Sequence, residues 1–165
     1  MNEKGRLPQI YLIFLSICII ISCKPAKKPD VSNIKLDIKI ERFEQDLYQG
    51  KGENIAETDQ KLQSKYGYFY DDFVKRMVGT PDLQGAEVLD ILYKNQAFTD
   101  LYKEIDSVYP NLNQAEKDLT ESFKYIKYYY PKTKIPRFIS FLSGFAYQVP
   151  IGDNYIGIGL DMFLG

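Results

Sequence analysis

From Asn33 onward apolar and polar residues alternate, with Ile34, Leu36, Ile38 and Ile40 on one side and Lys35, Asp37, Lys39 and Glu41 on the other. A period of two over this stretch predicts a strand with one face toward water. Arg42, Phe43 and Glu44 then lead to a turn at Gly50 and Gly52. Beyond it the period lengthens. Asn54 or Glu53 starts a polar helix that turns Ile55 and Leu62 inward and stops at Gly67. A second helix runs from about Tyr68 to Val78 on the spacing of Phe69, Phe73 and Met77, closed by Gly79, Thr80 and Pro81.

Val88, Leu89, Leu92, Phe98, Leu101, Tyr102, Ile105 and Val108 mark two helical segments broken near Asn95 and ended by Pro110. The strongest helical pattern follows: Asn111 or Asn113 caps it, Leu119, Phe123, Ile126 and Tyr130 form its stripe, and Pro131 stops it. After Pro136 the period changes again. Phe138 to Phe145 and Tyr155 to Leu160 read as two strands flanking a turn that contains Pro150, Gly152, Asp153 and Asn154. The plan is an N-terminal strand, several helices and a C-terminal strand pair, which is an α+β arrangement. The apolar ending through Met162, Phe163 and Leu164 leaves the last strand without a covering element, so the chain reads as an incomplete domain prone to self-association at that edge.

Composition narrows the chemistry. The 165 residues include no histidine, which removes serine-histidine-acid and cysteine-histidine triads and His-Glu-x-x-His zinc sites from this chain. Both cysteines, Cys18 and Cys23, fall at the start, so the body has no disulfide framework and no cysteine-rich metal site. Fourteen tyrosines and ten phenylalanines without tryptophan place a large aromatic payload in the packing. The run Tyr66, Tyr68, Phe69, Tyr70 and Phe73 has helical spacing and reads as core in preference to a stacking platform. Of Tyr128, Tyr129 and Tyr130, beside Tyr125, at least one faces solvent.

Acidic pairs offer little. Asp71 with Asp72 points two ways on a helix, and Glu87 with Asp90 reads as a solvated face rather than a glycosidase pair. Asp153, Asn154 and Asp161 lack the spacing of a calcium loop, and Gly157-x-Gly159 lacks the third glycine of a nucleotide fingerprint. No catalytic residue, metal ligand or cofactor is expected in this chain.

The N-terminus is the most specific stretch. Lys4 and Arg6 precede an apolar run from Ile10 to Ile21, the layout of a secretory signal. The run falls short of the roughly 20 residues that span a bilayer. It ends Ile20-Ile21-Ser22-Cys23, similar to a bacterial lipobox, so residues 1–22 read as a lipoprotein signal peptide and Cys23 as the lipid-attachment site, carrying palmitate-like acyl chains. Residues 23–32, with Lys24, Lys27 and Lys28 between Pro25 and Pro29, read as the lipidated tether. Residues 1–22 carry a net +1 against −1 for the whole chain, so residues 23–165 carry −2, which gives no electrostatic case for nucleic acid.

Three stretches behind the lipobox, Ile38 to Leu47, Phe123 to Pro136 and Ile158 to Gly165, resemble the gliding-motility-associated lipoprotein GldB family of Bacteroidetes. The resemblance covers nearly all of the chain from Cys23 and implies that residues 33–165 are the N-terminal part of a GldB-like α+β domain. It implies a membrane-anchored envelope lipoprotein facing the periplasm, in the inner or the outer membrane, that supports gliding and the associated secretion apparatus through contacts with other proteins and not through catalysis. Similarity of such domains to zinc-peptidase folds leaves an alternative: half of an enzyme domain whose active residues lie beyond residue 165.

Overall fold

The computed structural model describes residues 28–78 and 82–164. Residues up to Asn33 form a separate unit, and within its described part the Asp30 carboxylate accepts the Ser32 N–H in a turn. Cys23, the signal segment and the Gly79-Thr80-Pro81 stop lie outside the described residues. The second unit, Ile34–Gly165, is α+β.

Strand β1 spans Ile40–Arg42 and runs directly into helix α1, Phe43–Gln49. Helix α2 spans Ile55–Tyr66, and the Asn54 side chain accepts the N–H groups of Ala56 and Glu57 at its start. At its end Gly67 takes a positive φ of 54°, the conformation glycine supplies cheaply. Helix α3, Tyr68–Asp72, continues as a π turn over Phe73–Met77, closed by the Val78 N–H to the Phe73 carbonyl. Helices α4, Gly85–Lys94, and α5, Gln96–Val108, meet at Asn95, whose side chain caps the second. Helix α6 spans Asn113–Tyr129, with Asn111 accepting the Asn113 N–H.

Strands β2, Arg137–Phe141, β3, Ile151–Gly152, and β4, Tyr155–Gly159, complete a four-stranded sheet in the order β1-β2-β4-β3. A 3₁₀ turn over Leu160–Phe163 follows. The last two long strands do pair, but in parallel, with Phe138 beside Ile156 and Ser140 beside Ile158. The turn at Asp153–Asn154 joins β4 to the two-residue β3 instead, in antiparallel register. Strand β4 is therefore interior, which corrects the expectation that its edge is uncovered. The strand expected to reach Phe145 ends at Phe141, because Gly144 and Phe145 both adopt positive φ and turn the chain away.

The strand expected over Ile34 to Glu41 pairs only over Ile40–Arg42, yet the alternation leading into it holds: Ile38 and Ile40 are buried while Lys35, Asp37 and Lys39 are exposed. Its outer edge is protected by α6, where Thr120 Oγ1 accepts the Ile38 N–H and Glu116 Oε1 the Ile40 N–H. One sheet face carries the main core, in which Phe43 sits edge-on to Tyr66, Phe69 and Phe73 with ring centroids 4.7–5.1 Å apart. Tyr66 and Tyr70 are buried in it and donate their hydroxyls to Asp46 and Asp59; Tyr68, outside it, is exposed. The opposite face packs Ile38, Ile40 and Phe138 under Leu112, Leu119 and Phe123 of the α6 side.

Candidate functional site

Among the described residues two carboxylates are almost completely buried, Glu44 and Asp161. Glu44 takes the Arg42 guanidinium and the Ser140 hydroxyl, 2.8 Å away, while Arg42 also donates to the Tyr109 carbonyl. Burial pushes the Glu44 carboxyl up from its ordinary range, opposed by Arg42. The group ties β1, α1, β2 and the end of α5 together.

Asp161 does something different. At 1% exposure in the 3₁₀ turn, it accepts the Ser143 N–H at 3.2 Å, the Ser143 hydroxyl at 3.2 Å and the Phe145 N–H at 2.5 Å. The Ser143 hydroxyl oxygen in turn accepts the N–H groups of Ala146 and Tyr147. One carboxylate and one hydroxyl thus satisfy four backbone donors of a tight loop. That loop holds Phe145 at φ 65°, a conformation that costs a non-glycine residue about 1–2 kcal/mol, and leaves its ring 59% exposed. An apolar ring displayed on strained backbone is a pattern of sites under functional constraint.

The chain then returns beside β4. Gly157 and Gly159 donate to the carbonyls of Pro150 and Gln148, so the hydrogen-bonding groups of Val149 and Ile151 point away from β4. Glycine is required there: a Cβ on Gly159 would stand 2.0 Å from the Tyr147 carbonyl oxygen, and one on Gly157 2.8 Å from Pro150 Cγ. The Gly157-x-Gly159 pair serves this close approach and precedes no helix N-terminus.

Ile151 is opposite Ile156 and so shares the sheet face of Ile156, Ile158 and Phe138. Helix α6 covers the β1 side of that face and leaves the β3 side open. A groove of about 410 Å³ runs between them, lined by Leu119, Ser122, Val149, Ile156, Ile158 and Phe163. Val149, Ile151 at 78% and Phe163 are exposed there, and exposed Phe145 and Met162 flank Asp161. Large apolar side chains exposed together on one face are the kind of patch that commonly serves as a contact site.

The carboxylates that could have formed acid pairs go to separate structural partners, in line with the sequence reading of them as ordinary helix groups. Asp72 binds Arg76 and the Tyr155 hydroxyl, Glu87 closes the capping box at Gln84, and Asp90 pairs with Lys94. A polar pocket of about 280 Å³ holds Asp46, Glu53, Lys61 and Lys65, but these charges pair with one another. Among the described residues no group of three His, Cys, Asp or Glu side chains is placed to hold a metal ion. The spacing of Asp161 argues only against a calcium loop; its actual partner, the Ser143 turn, lies 18 residues earlier in the chain.

A family model described as gliding motility protein GldB matches residues 24–165. The chain belongs to that family. No curated protein and no solved structure matches it. The assignment makes this a gliding-motility-related protein, as the resemblance implied. The three stretches that carried the GldB resemblance form β1 with α1, the end of α6 with its loop, and β4 with the Asp161 turn. Among the described residues of this GldB-family chain no helix is long and apolar enough to cross a membrane.

Proposed function

We propose that this chain is an envelope lipoprotein, acylated at Cys23, facing the periplasm from the inner or the outer membrane. It supports gliding and the associated secretion apparatus by binding other proteins through the apolar surface of Phe145, Val149, Ile151 and Phe163, without catalysis of its own. The observation that carries this reading is the Asp161–Ser143 latch: a buried, fully engaged polar group holds an apolar ring in solvent on strained backbone. A surface with no such use would relax that strain or bury that ring.

Gliding of cells carrying Phe145→Gly, and separately Ile151→Lys with Phe163→Lys, tests the reading. Glycine at φ 65° relieves about as much strain as the half-exposed ring loses in burial, so abundance should hold while gliding falls. Normal gliding with both variants at normal abundance overturns the contact role.

A further inference from the structure

From Ser122 to Gly152 the chain contains no Asp or Glu and five cations, Lys124, Lys127, Lys132, Lys134 and Arg137, whereas residues 30–121 carry a net −8. Arg137 is engaged by Glu41 through two hydrogen bonds. Lys127 latches the end of α6 by donating to the carbonyls of Pro131 and Thr133. Its contacts, with the Thr133 N–H to the Tyr130 carbonyl, fix the turn after the helix as one shape. Lys132 and Lys134 remain exposed on it, with no ion pair among the described residues.

The same turn displays tyrosines. Tyr128, Tyr129 at 61% and Tyr130 at 67% are all exposed, the rings of the first two lying edge to face at 5.1 Å. Tyr129, Tyr130, Pro131, Lys132 and Thr133 line a shallow concavity of about 560 Å³. Tyrosine rings with polar tips settle at the headgroup level of a bilayer, and lysines beside them are drawn to anionic lipid. Base stacking would want a longer basic track than one turn.

We propose that the tip of α6, Tyr128 to Lys134, is a membrane-contact site that rests on the surface of an anionic phospholipid bilayer. The inference draws on the proposed lipid anchor only for the nearness of a bilayer, which makes a weak attraction effective. Two exposed lysines near an anionic surface shift the on–off balance of the tip by about 30-fold.

Because the chain has no tryptophan, Tyr129→Trp creates a single emitter at the tip. The full chain carrying it is reconstituted into vesicles of phosphatidylcholine alone, or with one-third phosphatidylglycerol. In the anionic vesicles the emission should move to shorter wavelength and be quenched by brominated acyl chains. Lys132→Gln with Lys134→Gln should return it to the level seen in phosphatidylcholine, as should high salt. Tyr68→Trp, exposed on α3, is the control that stays unquenched, and Tyr130→Trp is a second reporter. Equal, unquenched emission from both tip reporters in both vesicles overturns the proposal, as does quenching by a single-stranded oligonucleotide without any response to lipid. Mass spectrometry of Cys23 in the same preparation separates the two readings: an unacylated chain with a quenched tip removes the anchor alone, and an acylated chain with an unquenched tip removes this proposal alone.

Discussion

Replacing Asp161 by alanine removes the acceptor that holds the 143–147 loop. The Ser143 and Phe145 N–H groups lose their partner, while the Ser143 hydroxyl keeps the Tyr147 carbonyl within reach at 3.3 Å. An orphaned buried donor costs about 1–3 kcal/mol, so the two together cost about 4 kcal/mol. Release of Phe145 from its positive φ returns about 1–2 kcal/mol of strain. The net loss is about 3 kcal/mol, a large share of the roughly 5–15 kcal/mol of a typical domain. Urea unfolding should show the midpoint moving down with an unchanged slope, and the Ser143 and Phe145 amides should exchange faster with solvent. A stability change under about 0.5 kcal/mol, or unchanged exchange at those two amides, would refute the latch.

Gly159→Ala should destabilise by about 1–3 kcal/mol or more, since the new Cβ meets backbone rather than a movable side chain; denaturant melts check it. Tyr66, Tyr70 and Tyr155 are buried with hydroxyls donated to Asp46, Asp59 and Asp72, and burial first and the nearby carboxylates second raise their pKa above 10. Their folded pKa values exceed the unfolded ones, so their contribution is complete below pH 10 and is lost above it, by about 4 kcal/mol per pH unit for the three. Tyr93, pushed up to about 12 by burial, adds to this slope. The phenolate absorbance of these four tyrosines should appear in one cooperative step coincident with unfolding; its gradual appearance while the fold persists would contradict it. Cys23→Ala should abolish acylation and release the chain from the membrane fraction or leave it unprocessed, read by mass and fractionation.

Local signals were read correctly where they are local. Asn54 and Gly67 bracket α2, Asn95 divides α4 from α5, and the alternation before Glu41 marks the buried side of the first strand. Helix α1 escaped because it is only seven residues long and its two inward apolar residues, Phe43 and Leu47, span little more than one turn. The parallel sense of β2 and β4 is decided by the loop between them and by β3, neither of which has a periodic signature. The burial of Asp161 depends on donors 16 to 18 residues away, so an isolated acid beside apolar residues gave no sign of it. The α6 stripe was legible in Leu119, Phe123 and Ile126, which are only half-buried because the helix leaves the groove beside it open, whereas Tyr130 lies past the helix end and is exposed.

The central claim is that the open face beside α6 meets another protein during gliding. A photo-crosslinking residue at position 151, on the most exposed apolar side chain of that face, tests it in living cells, with position 68, also well exposed, as a control on α3. The account predicts a discrete protein adduct from position 151 that disappears with Phe163→Lys and is absent from position 68. Gliding cells that yield no adduct at position 151, or the same adduct from both positions, would contradict it.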